Sequence, residues 1–156
     1  MLILYFLGAV ILSGIDQLSK LFVLRYIKPE DTIPLLKGIF HLTYCENRGA
    51  AFGILQGRFG LLFITTLLVI IAATVYMIKK RPQSLTLTTS VTLLIGGAIG
   101  NLIDRVCRGF VIDFLDFRLI HFPIFNIADC FVVCGAILLV IYVLFIEEHK
   151  DKNKPE

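Results

Sequence analysis

Charged side chains are scarce in this chain of 156 residues. Asp, Glu, Lys and Arg make up 17% of the sequence, 57% of the residues are hydrophobic, and the mean hydropathy is +0.85. A soluble domain carries about 25% charged residues, so a chain with so few cannot cover its apolar surface with polar groups. The composition excludes an ordinary soluble domain and predicts one compact integral membrane unit.

Several common functional signatures are also missing. The cysteines at 45, 107, 130 and 134 form no CxxC pair, and the three histidines are scattered, which argues against a zinc site. The net charge is only +3, and no basic stripe alternates with aromatic residues, so nothing indicates a nucleic-acid partner. Neither Gly-x-Ser-x-Gly nor HExxH occurs, which argues against the hydrolases that these motifs mark.

Long apolar runs account for most of the chain. Four of them reach the roughly 20 residues that a helix needs to cross a bilayer. In lipid they must be helical, because the backbone has to satisfy its own hydrogen bonds there. We expect a single domain over residues 1–156, with a tail at 147–156 and spans at about 2–24, 59–78, 84–103 and 126–146. The first span lacks a basic n-region and an A-x-A-like site, so we expect it to be retained.

Basic residues indicate the orientation. The short turn "KKRP" at 79–82 is dense in Lys and Arg, and the tail lies on the same side, which the positive-inside rule assigns to the cytoplasm. The raw number of Lys and Arg favours the opposite side, but several of those lie beside acids, as Arg105 does beside Asp104. We therefore expect both termini in the cytoplasm and the two longer connections outside.

The outer connections, 25–58 and 104–125, are long enough to carry structure of their own. "GIFHLTYCE" at 38–46 is rich in β-branched and aromatic residues, which favours strands. "NRGAAFG" at 47–53 has small residues that allow another backbone to approach closely. We expect residues 104–125 to form a structured lid or interfacial loop, and residues 50–60 to close over a site.

Ionisable residues within spans are costly and mark either a function or a buried pair. Asp16 and Lys20 are spaced i and i+4, which predicts an ion pair on one helix face, structural or functional. A Ser–Lys hydrolase is disfavoured, because Ser19 is adjacent to Lys20 and points away, while Ser13 lies too far along the helix.

A second polar group closes the third span and follows two glycines at GxxxG spacing, Gly96 and Gly100, a pattern that lets helices touch backbone to backbone. The unusual polar residues all gather at one level, at the outer ends of the first, third and fourth spans and in the loops beside them. A midplane ion site would instead place charges at span centres. The residues at this level are Asp16, Lys20, Asn101, Asp104, Arg105, Asp113, Asp116 and Asp129.

Carboxylates are the abundant reactive groups at this level. Two aspartates held close cannot both ionise easily, so one can act as a base on water while the other donates a proton to a carbonyl. This chemistry needs no cofactor. The residues alone leave open whether Asp113 or Asp116 is the partner of Asp129.

Five short motifs follow one another along the chain. They are "DQLSK" at 16–20, "NRGAAF" at 47–52, "GGAIGNLIDR" at 96–105, "VIDF" at 111–114 and "FNIAD" at 125–129. In this order they resemble D-Q-x-x-K, N-x-G-A-A-F/W, G-G-A-x-G-N-x-x-D-R, V-x-D-F and F-N-x-A-D, the motifs of the lipoprotein signal peptidases, the bacterial signal peptidase II family. The resemblance covers nearly the whole chain.

The resemblance implies an inner-membrane aspartic endopeptidase with four transmembrane helices, all-α apart from a small extracytoplasmic β-rich segment. It would cut signal peptides from prolipoproteins just before a cysteine that carries a diacylglyceryl group, at the outer face, as a monomer in lipid and without cofactor or metal. The catalytic dyad carried over by motif is Asp113 and Asp129, which makes Asp116 a solvated loop acid. One departure is Cys130, where the family often has Ser.

The supporting residues that follow from the same motifs are expected to hold the outer segment and the substrate: Asp16, Lys20, Asn47, Gly49, Ala50, Asn101, Asp104, Arg105 and Asn126. The positive end of the fourth helix favours the charged form of Asp129. We therefore expect Asp129 to be the more readily ionised partner and Asp113 to be protonated more often. Two other interpretations are an ion- or drug-coupled transporter that uses Asp16, and a non-enzymatic factor that binds lipoproteins through the "GAAF" surface.

Overall fold

Four long helices and a small antiparallel sheet make up the described part of the chain. The computed structural model describes residues 1–49, 56–120 and 122–147, with the backbone alone at 146 and 147. The helices are α1 (Leu2–Phe22), α2 (Phe59–Lys80), α3 (Leu85–Arg108) and α4 (Ile127–Ile141). The strands are β1 (Thr32–Leu36), β2 (Phe40–Asn47) and β3 (Val111–Phe117). The expected helical membrane architecture with a small β-rich segment is confirmed.

All four helices are long and apolar enough to cross a membrane. The first and last continue as π-helical segments, Val23–Ile27 after α1 and Tyr142–Glu147 after α4. Large apolar side chains point outwards, such as Ile3 at 80%, Val10 at 70% and Leu68 at 60% exposure. Surfaces of this kind suit a hydrocarbon environment, since a soluble protein rarely exposes such large apolar patches.

Helix α3 is longer than the sequence predicted. It starts at an N-cap, Ser84, whose Oγ accepts a hydrogen bond from the N–H of Leu87, and ends at Gly109, which has a φ of 78°. The left-handed turn suits glycine, which has no Cβ, and leads the chain directly into β3. Asp104 and Arg105 therefore lie within the helix rather than after it. These two charged residues are accommodated within the helix because each has polar partners.

Small residues let α3 pack closely against helices on two sides. A Cβ at Gly96 would overlap with Leu12 of α1, and one at Gly100 would overlap with the carboxylate of Asp16. Gly97 lies against the backbone of Ala128 at the start of α4. The close approach of helices predicted at Gly96 and Gly100 is confirmed, but the nearest atoms belong to the side chains of Leu12 and Asp16 rather than to a backbone. Helix α3 packs against all three other helices and is central to the bundle. Helix α2 packs against α3 and buries only Met77.

The sheet lies beside the C-terminal ends of α1 and α3, in strand order β1-β2-β3. The expectation of strands at 38–46 is confirmed by β2, but the view of 111–117 as part of a lid or loop is wrong. Residues 111–117 form β3, which pairs antiparallel with β2. Ile112 and Phe114 face the end of α1 and pack with Val23 and Ile27. Asp113, between them, points to the opposite face because strand side chains alternate.

A short extended segment brings the start of α4 to the free edge of β3. The carbonyl of Phe125 accepts hydrogen bonds from the N–H groups of Phe114 and Leu115, at 2.9 and 2.8 Å. The N–H of Phe125 donates back to the carbonyl of Leu115 at 3.2 Å. The backbone thus fixes residue 126 beside Asp113 before any side chain of the site is considered.

The contact between Gly97 and Ala128 yields a stability prediction. Gly97→Ala places a methyl group against a backbone carbonyl that cannot move without α4, so we expect a destabilisation of about 1–3 kcal/mol. The matched control is Gly14→Ala in α1, where a Cβ meets nothing within 4 Å. That change should leave stability equal or higher by about 0.5–1 kcal/mol. Thermal unfolding in detergent measures both, and equal midpoints for the two variants would contradict the packing described.

Candidate active site

Two aspartates on different elements meet around one asparagine. Asp113 comes from β3 and Asp129 from the first turn of α4, and Asn126 contacts both. The side-chain Nδ2 of Asn126 donates to Oδ1 of Asp113 at 2.6 Å, and its backbone N–H donates to Oδ2 of Asp129 at 3.2 Å. The structure therefore brings together the two acids of the expected dyad.

Asp129 is held by the cap of its own helix. Asn126 is the N-cap of α4, and its Oδ1 accepts a hydrogen bond from the N–H of Asp129 at 2.9 Å. In return, the Asp129 carboxylate accepts a hydrogen bond from the backbone N–H of Asn126, which completes a capping box. Its other oxygen, Oδ1, accepts from Nδ2 of Asn101 on α3 at 2.8 Å. Each oxygen of Asp129 thus accepts a hydrogen bond from a group that its neighbours hold in place.

Asp113 also receives a hydrogen bond on each oxygen. Beside the contact with Asn126, Nδ2 of Asn47 donates to its Oδ2 at 2.9 Å. The residue is only 2% exposed. Burial, together with the charge of Asp129, raises the pKa of Asp113 to about 7. A carboxyl group of this kind is protonated through much of the physiological range and can serve as a proton donor.

A cavity of about 960 Å³ opens beside the two acids. One wall is polar and includes Asn47, Asn101 and Arg105 with the dyad. The other is apolar and comes from the segment before α4 and from the first turns of that helix: Phe122, Pro123, Ile124, Phe125, Cys130, Val132, Val133 and Cys134. Such a site suits an amphipathic ligand, with polar chemistry on one side and hydrocarbon on the other.

Asp16 and Lys20 belong to a buried ion cluster next to the dyad. Lys20 Nζ lies 2.8 Å from Oδ2 of Asp16 and 2.9 Å from Oδ2 of Asp104, and the three side chains are fully buried. The predicted i, i+4 pair is confirmed, and Asp104 joins it from α3. Arg108, on the next turn, forms a second ion pair with Asp104. The cluster contains two acids and two bases, so its formal charges balance.

The remaining expected residues lie where the β2 segment leaves the sheet. Nη2 of Arg105 donates to the carbonyl of Gly49 at 3.3 Å, and the N–H of Gly49 donates to Oδ1 of Asn47 at 2.9 Å. Arg105 thereby holds the residues that follow Asn47 near the cavity. Ala50 lies outside the described residues, and so do 51–55 of the expected closing segment. Gln56, which is described, lines the cavity.

Two acids of the same strand have different surroundings. Asp116, expected as a solvated loop acid, instead lies in β3 and is 7% exposed, so that expectation is wrong. Its Oδ2 accepts hydrogen bonds from Oγ1 of Thr43 and Nε of Arg118, at 2.7 and 2.8 Å. Although burial opposes the effect, these bonds and the charge of Arg118 keep the pKa of Asp116 below its ordinary value. It does not line the cavity.

Several contributors were not singled out as site residues by sequence reasoning. Cys45 lies opposite Asp113 in the sheet, and Arg48 lines the cavity rim, where it pairs with Glu46 at 2.9 Å. Arg108 could have been found, because it is spaced i, i+4 from Asp104. Cys45 carried no such signal, since its place depends on the register between β2 and β3.

The described residues offer little support for other chemistries. Ser13 Oγ donates to the carbonyls of Ala9 and Gly96, and Ser19 Oγ donates to the carbonyl of Asp16, so neither hydroxyl is bonded to Lys20. Within residues 1–49, 56–120 and 122–147, no three His, Cys, Asp or Glu side chains are placed to hold a metal ion.

Comparison with known proteins agrees with this geometry. Residues 8–145 match the family described as Signal peptidase (SPase) II. A lipoprotein signal peptidase of Clostridioides difficile is 49% identical over 144 residues, which cover 92% of this chain and 97% of that protein. The lipoprotein signal peptidase of Halothermothrix orenii is 50% identical over 129 residues, or 83% of this chain and 87% of that protein.

Solved structures show the same likeness in three dimensions. A structure described as a bacterial membrane enzyme is 35% identical, with a TM-score of 0.84, over 97% of this chain and 92% of that one. A second, also described as a bacterial membrane enzyme, is 37% identical, with a TM-score of 0.80, over 91% of this chain and 93% of that one. The sequence match alone spans most of the chain, and the chain belongs to the signal peptidase II family.

Proposed function

We propose that this protein removes signal peptides from prolipoproteins by aspartic catalysis at Asp113 and Asp129. Membership of the signal peptidase II family makes the chain a multi-pass bacterial membrane peptidase that processes lipoprotein signal peptides. The observation that carries the aspartic mechanism is the pair of acids joined through Asn126 at the wall of an amphipathic cavity. Among the described residues, the acids that line this cavity are Asp113, Asp129 and Glu46.

The two acids have complementary roles. Asp129 accepts hydrogen bonds on both oxygens at the positive end of α4, an environment that stabilises negative charge. It removes a proton from the attacking water. Asp113, with its raised pKa, donates a proton to the oxygen of the scissile carbonyl. When the tetrahedral intermediate collapses, the leaving nitrogen takes the proton from Asp129 and one hydroxyl of the intermediate returns a proton to Asp113, so that the C–N bond breaks and the dyad is restored.

The cavity supports a lipid-modified substrate. Its apolar wall faces the membrane side of α4, where the exposed Val133 and the thiol-bearing turn of Cys130 and Cys134 lie. Acyl chains of a diacylglyceryl-modified cysteine fit against this wall, while the peptide bond before that cysteine reaches the dyad on the polar wall. Burial of the acyl chains against the apolar wall then holds the scissile peptide bond in position beside the dyad.

The site lies on the outer face of the cytoplasmic membrane in this proposal, and the protein acts as a monomer. The sheet and the dyad are at the end of the bundle opposite the basic turn at 79–82. The positive-inside rule assigns that turn to the cytoplasm. Signal peptides of exported proteins are cut on the outer side, so the two assignments agree.

The transporter interpretation finds no support in the family match. The buried Asp16 that motivated it is fully engaged: its Oδ1 accepts from the N–H of Ala128 at 3.0 Å, and its Oδ2 pairs with Lys20. A carboxylate with these partners acts as a structural anion at the start of α4.

Cleavage is tested with purified protein in detergent. It is incubated with a diacylglyceryl-modified prolipoprotein, and the product masses are followed. We expect a signal peptide and a mature chain that begins with the lipidated cysteine. If the wild-type protein leaves this substrate intact, or cuts elsewhere, the proposed reaction is wrong.

The dyad is tested by replacing each aspartate with asparagine, which keeps the shape of the side chain and removes its charge. Asp113→Asn and Asp129→Asn should each lower kcat by at least about 10³-fold, and the double variant should be no worse than either single one, because the pair acts as a unit. Asp116→Asn is the matched control on the same strand and should keep kcat within about 3-fold. Activity that survives either dyad change would exclude that residue from catalysis.

The pH dependence follows from Asp113. Its pKa is about 7, so it holds its proton below that pH and loses it above. We expect kcat/KM, which reports the free enzyme, to fall on a basic limb near pH 7. The hydrogen bond from Asn47 lowers this pKa, so Asn47→Ala should move the basic limb to higher pH. A limb that stays in place, or moves down, would contradict the assignment of the proton donor.

The orientation is tested by thiol labelling in intact cells. In an active cysteine-free background, Lys37→Cys marks the turn between β1 and β2, and Lys80→Cys marks the end of α2; both positions are exposed. We expect a membrane-impermeant maleimide to label position 37 directly and position 80 only after permeabilisation. The reverse pattern would place the dyad on the cytoplasmic side.

A further inference from the structure

The amide of Asn101 sits between the buried ion cluster and the dyad, and its direction matters for catalysis. Its Oδ1 accepts a hydrogen bond from Nζ of Lys20 at 2.9 Å and another from Nδ2 of Asn126 at 3.1 Å. Its Nδ2 donates to Oδ1 of Asp129 at 2.8 Å. If the amide were turned over, an NH₂ group would face an ammonium and a carbonyl oxygen would face a carboxylate.

Lys20 is the charged member of the two donors that set the direction of the Asn101 amide; the other is Nδ2 of Asn126. An ammonium can only donate hydrogen bonds, and it has three to give. All three have acceptors here: Oδ2 of Asp16, Oδ2 of Asp104 and Oδ1 of Asn101. Asp16 and Asp104 fix the ammonium itself, since the three side chains are fully buried. The nitrogen of the Asn101 amide is therefore left to face Asp129.

We propose that Lys20 is a positioning residue for the reaction, which acts through the Asn101 amide to keep a hydrogen-bond donor aimed at Asp129. This inference rests on the dyad proposed above and gives Lys20 a role beyond helix pairing. Without the ammonium, only Nδ2 of Asn126 still donates to the Asn101 oxygen, so the amide is held less firmly with its nitrogen toward Asp129. Asp129 then loses a firmly held hydrogen-bond donor, and the group that takes the proton from water is no longer fixed in place.

The surroundings of the dyad include other groups that could influence its titration. They lie on every element packed against it, and the test has to separate them: Asp16 and Lys20 on α1, Cys45 on β2, Asp104, Arg105 and Arg108 on α3, and Cys130 on α4. A direct effect of the Lys20 charge is the main rival, because that charge also acts on Asp113.

The first variant is Lys20→Met, studied by steady-state kinetics over pH. We expect kcat to fall by about 10- to 100-fold with KM changed by less than about 3-fold, because the chemical step rather than substrate binding is affected. We also expect the acidic limb of the kcat profile to move up by about 0.5 to 1 pH unit, since the ionised dyad loses a donor. A fall in kcat that merely tracks lost thermal stability, with no shift of the limb, would overturn the proposal.

A charge-matched pair guards against misfolding, since Lys20→Met alone leaves two buried acids short of a partner. Asp16→Asn keeps Lys20 on Asn101, and adding Lys20→Met to it removes an acid and a base together. The shift of the acidic limb should appear only with the second change. Arg108→Gln is the control for lost positive charge, because Arg108 pairs with Asp104 but is not bonded to Asn101. It should leave the limb in place.

A double-mutant cycle with Asn101→Ala distinguishes the relay from a direct field. If Lys20 acts through the amide, Lys20→Met causes no further shift once the amide is gone. A shift of the same size in the Asn101→Ala background would show that the charge acts directly and would overturn the relay. Where turnover is too slow to follow, carboxyl ¹³C NMR gives the same comparison, with Asp129 assigned by difference from Asp129→Asn.

Failure of the relay and failure of the proposed function give different results. If the wild type does not cleave the lipidated substrate, or if Asp129→Asn remains active, the dyad is wrong. The dyad variants can instead be inactive while Lys20→Met shifts the acidic limb equally in the wild-type and Asn101→Ala backgrounds. In that case only the role assigned to Lys20 is wrong.

Discussion

The backbone N–H groups at the start of α4 are buried and need hydrogen-bond partners, and the site is built around that requirement. The N–H of Asn126 donates to Asp129, that of Ala128 to Asp16, and that of Asp129 to the side chain of Asn126. The first N–H groups of a helix have no partners within it, and anions are favoured beside them. Side chains that cap α4 thus include a proposed catalytic acid and an acid of the buried ion cluster.

The same asparagine couples helix and sheet. The side-chain oxygen of Asn126 accepts a hydrogen bond from the first turn of α4, and its side-chain nitrogen donates to Asp113 and Asn101. The dyad therefore depends on rigid elements, namely a strand, two helix termini and their backbone, rather than on a long loop. A site assembled this way holds its reacting groups in place before substrate arrives, which lowers the cost of orientation during the reaction.

Local spacing predicted much of this arrangement. The four spans follow from apolar runs, and the Asp16–Lys20 pair follows from i, i+4 spacing on a helix. The dyad needed the resemblance to a family, because Asp113 and Asp116 look alike in "VIDFLDF". What separates them is the sheet, where Asp116 meets Thr43 and Arg118 while Asp113 meets Asn47 and Asn126. These partners come from distant parts of the chain, so no local pattern reveals them.

The close packing of α3 has a consequence for how the molecule could be redesigned. The glycines of α3 that leave no room for a Cβ, Gly96, Gly97 and Gly100, face α1 or α4, and the polar groups of the site are bonded to one another. The lipid-facing positions, such as Ile3, Val10 and Leu68, take no part in these contacts. The residues of the outer surface are thus different from the residues that build the catalytic interior. A water-soluble analogue could be sought by substituting the surface residues alone.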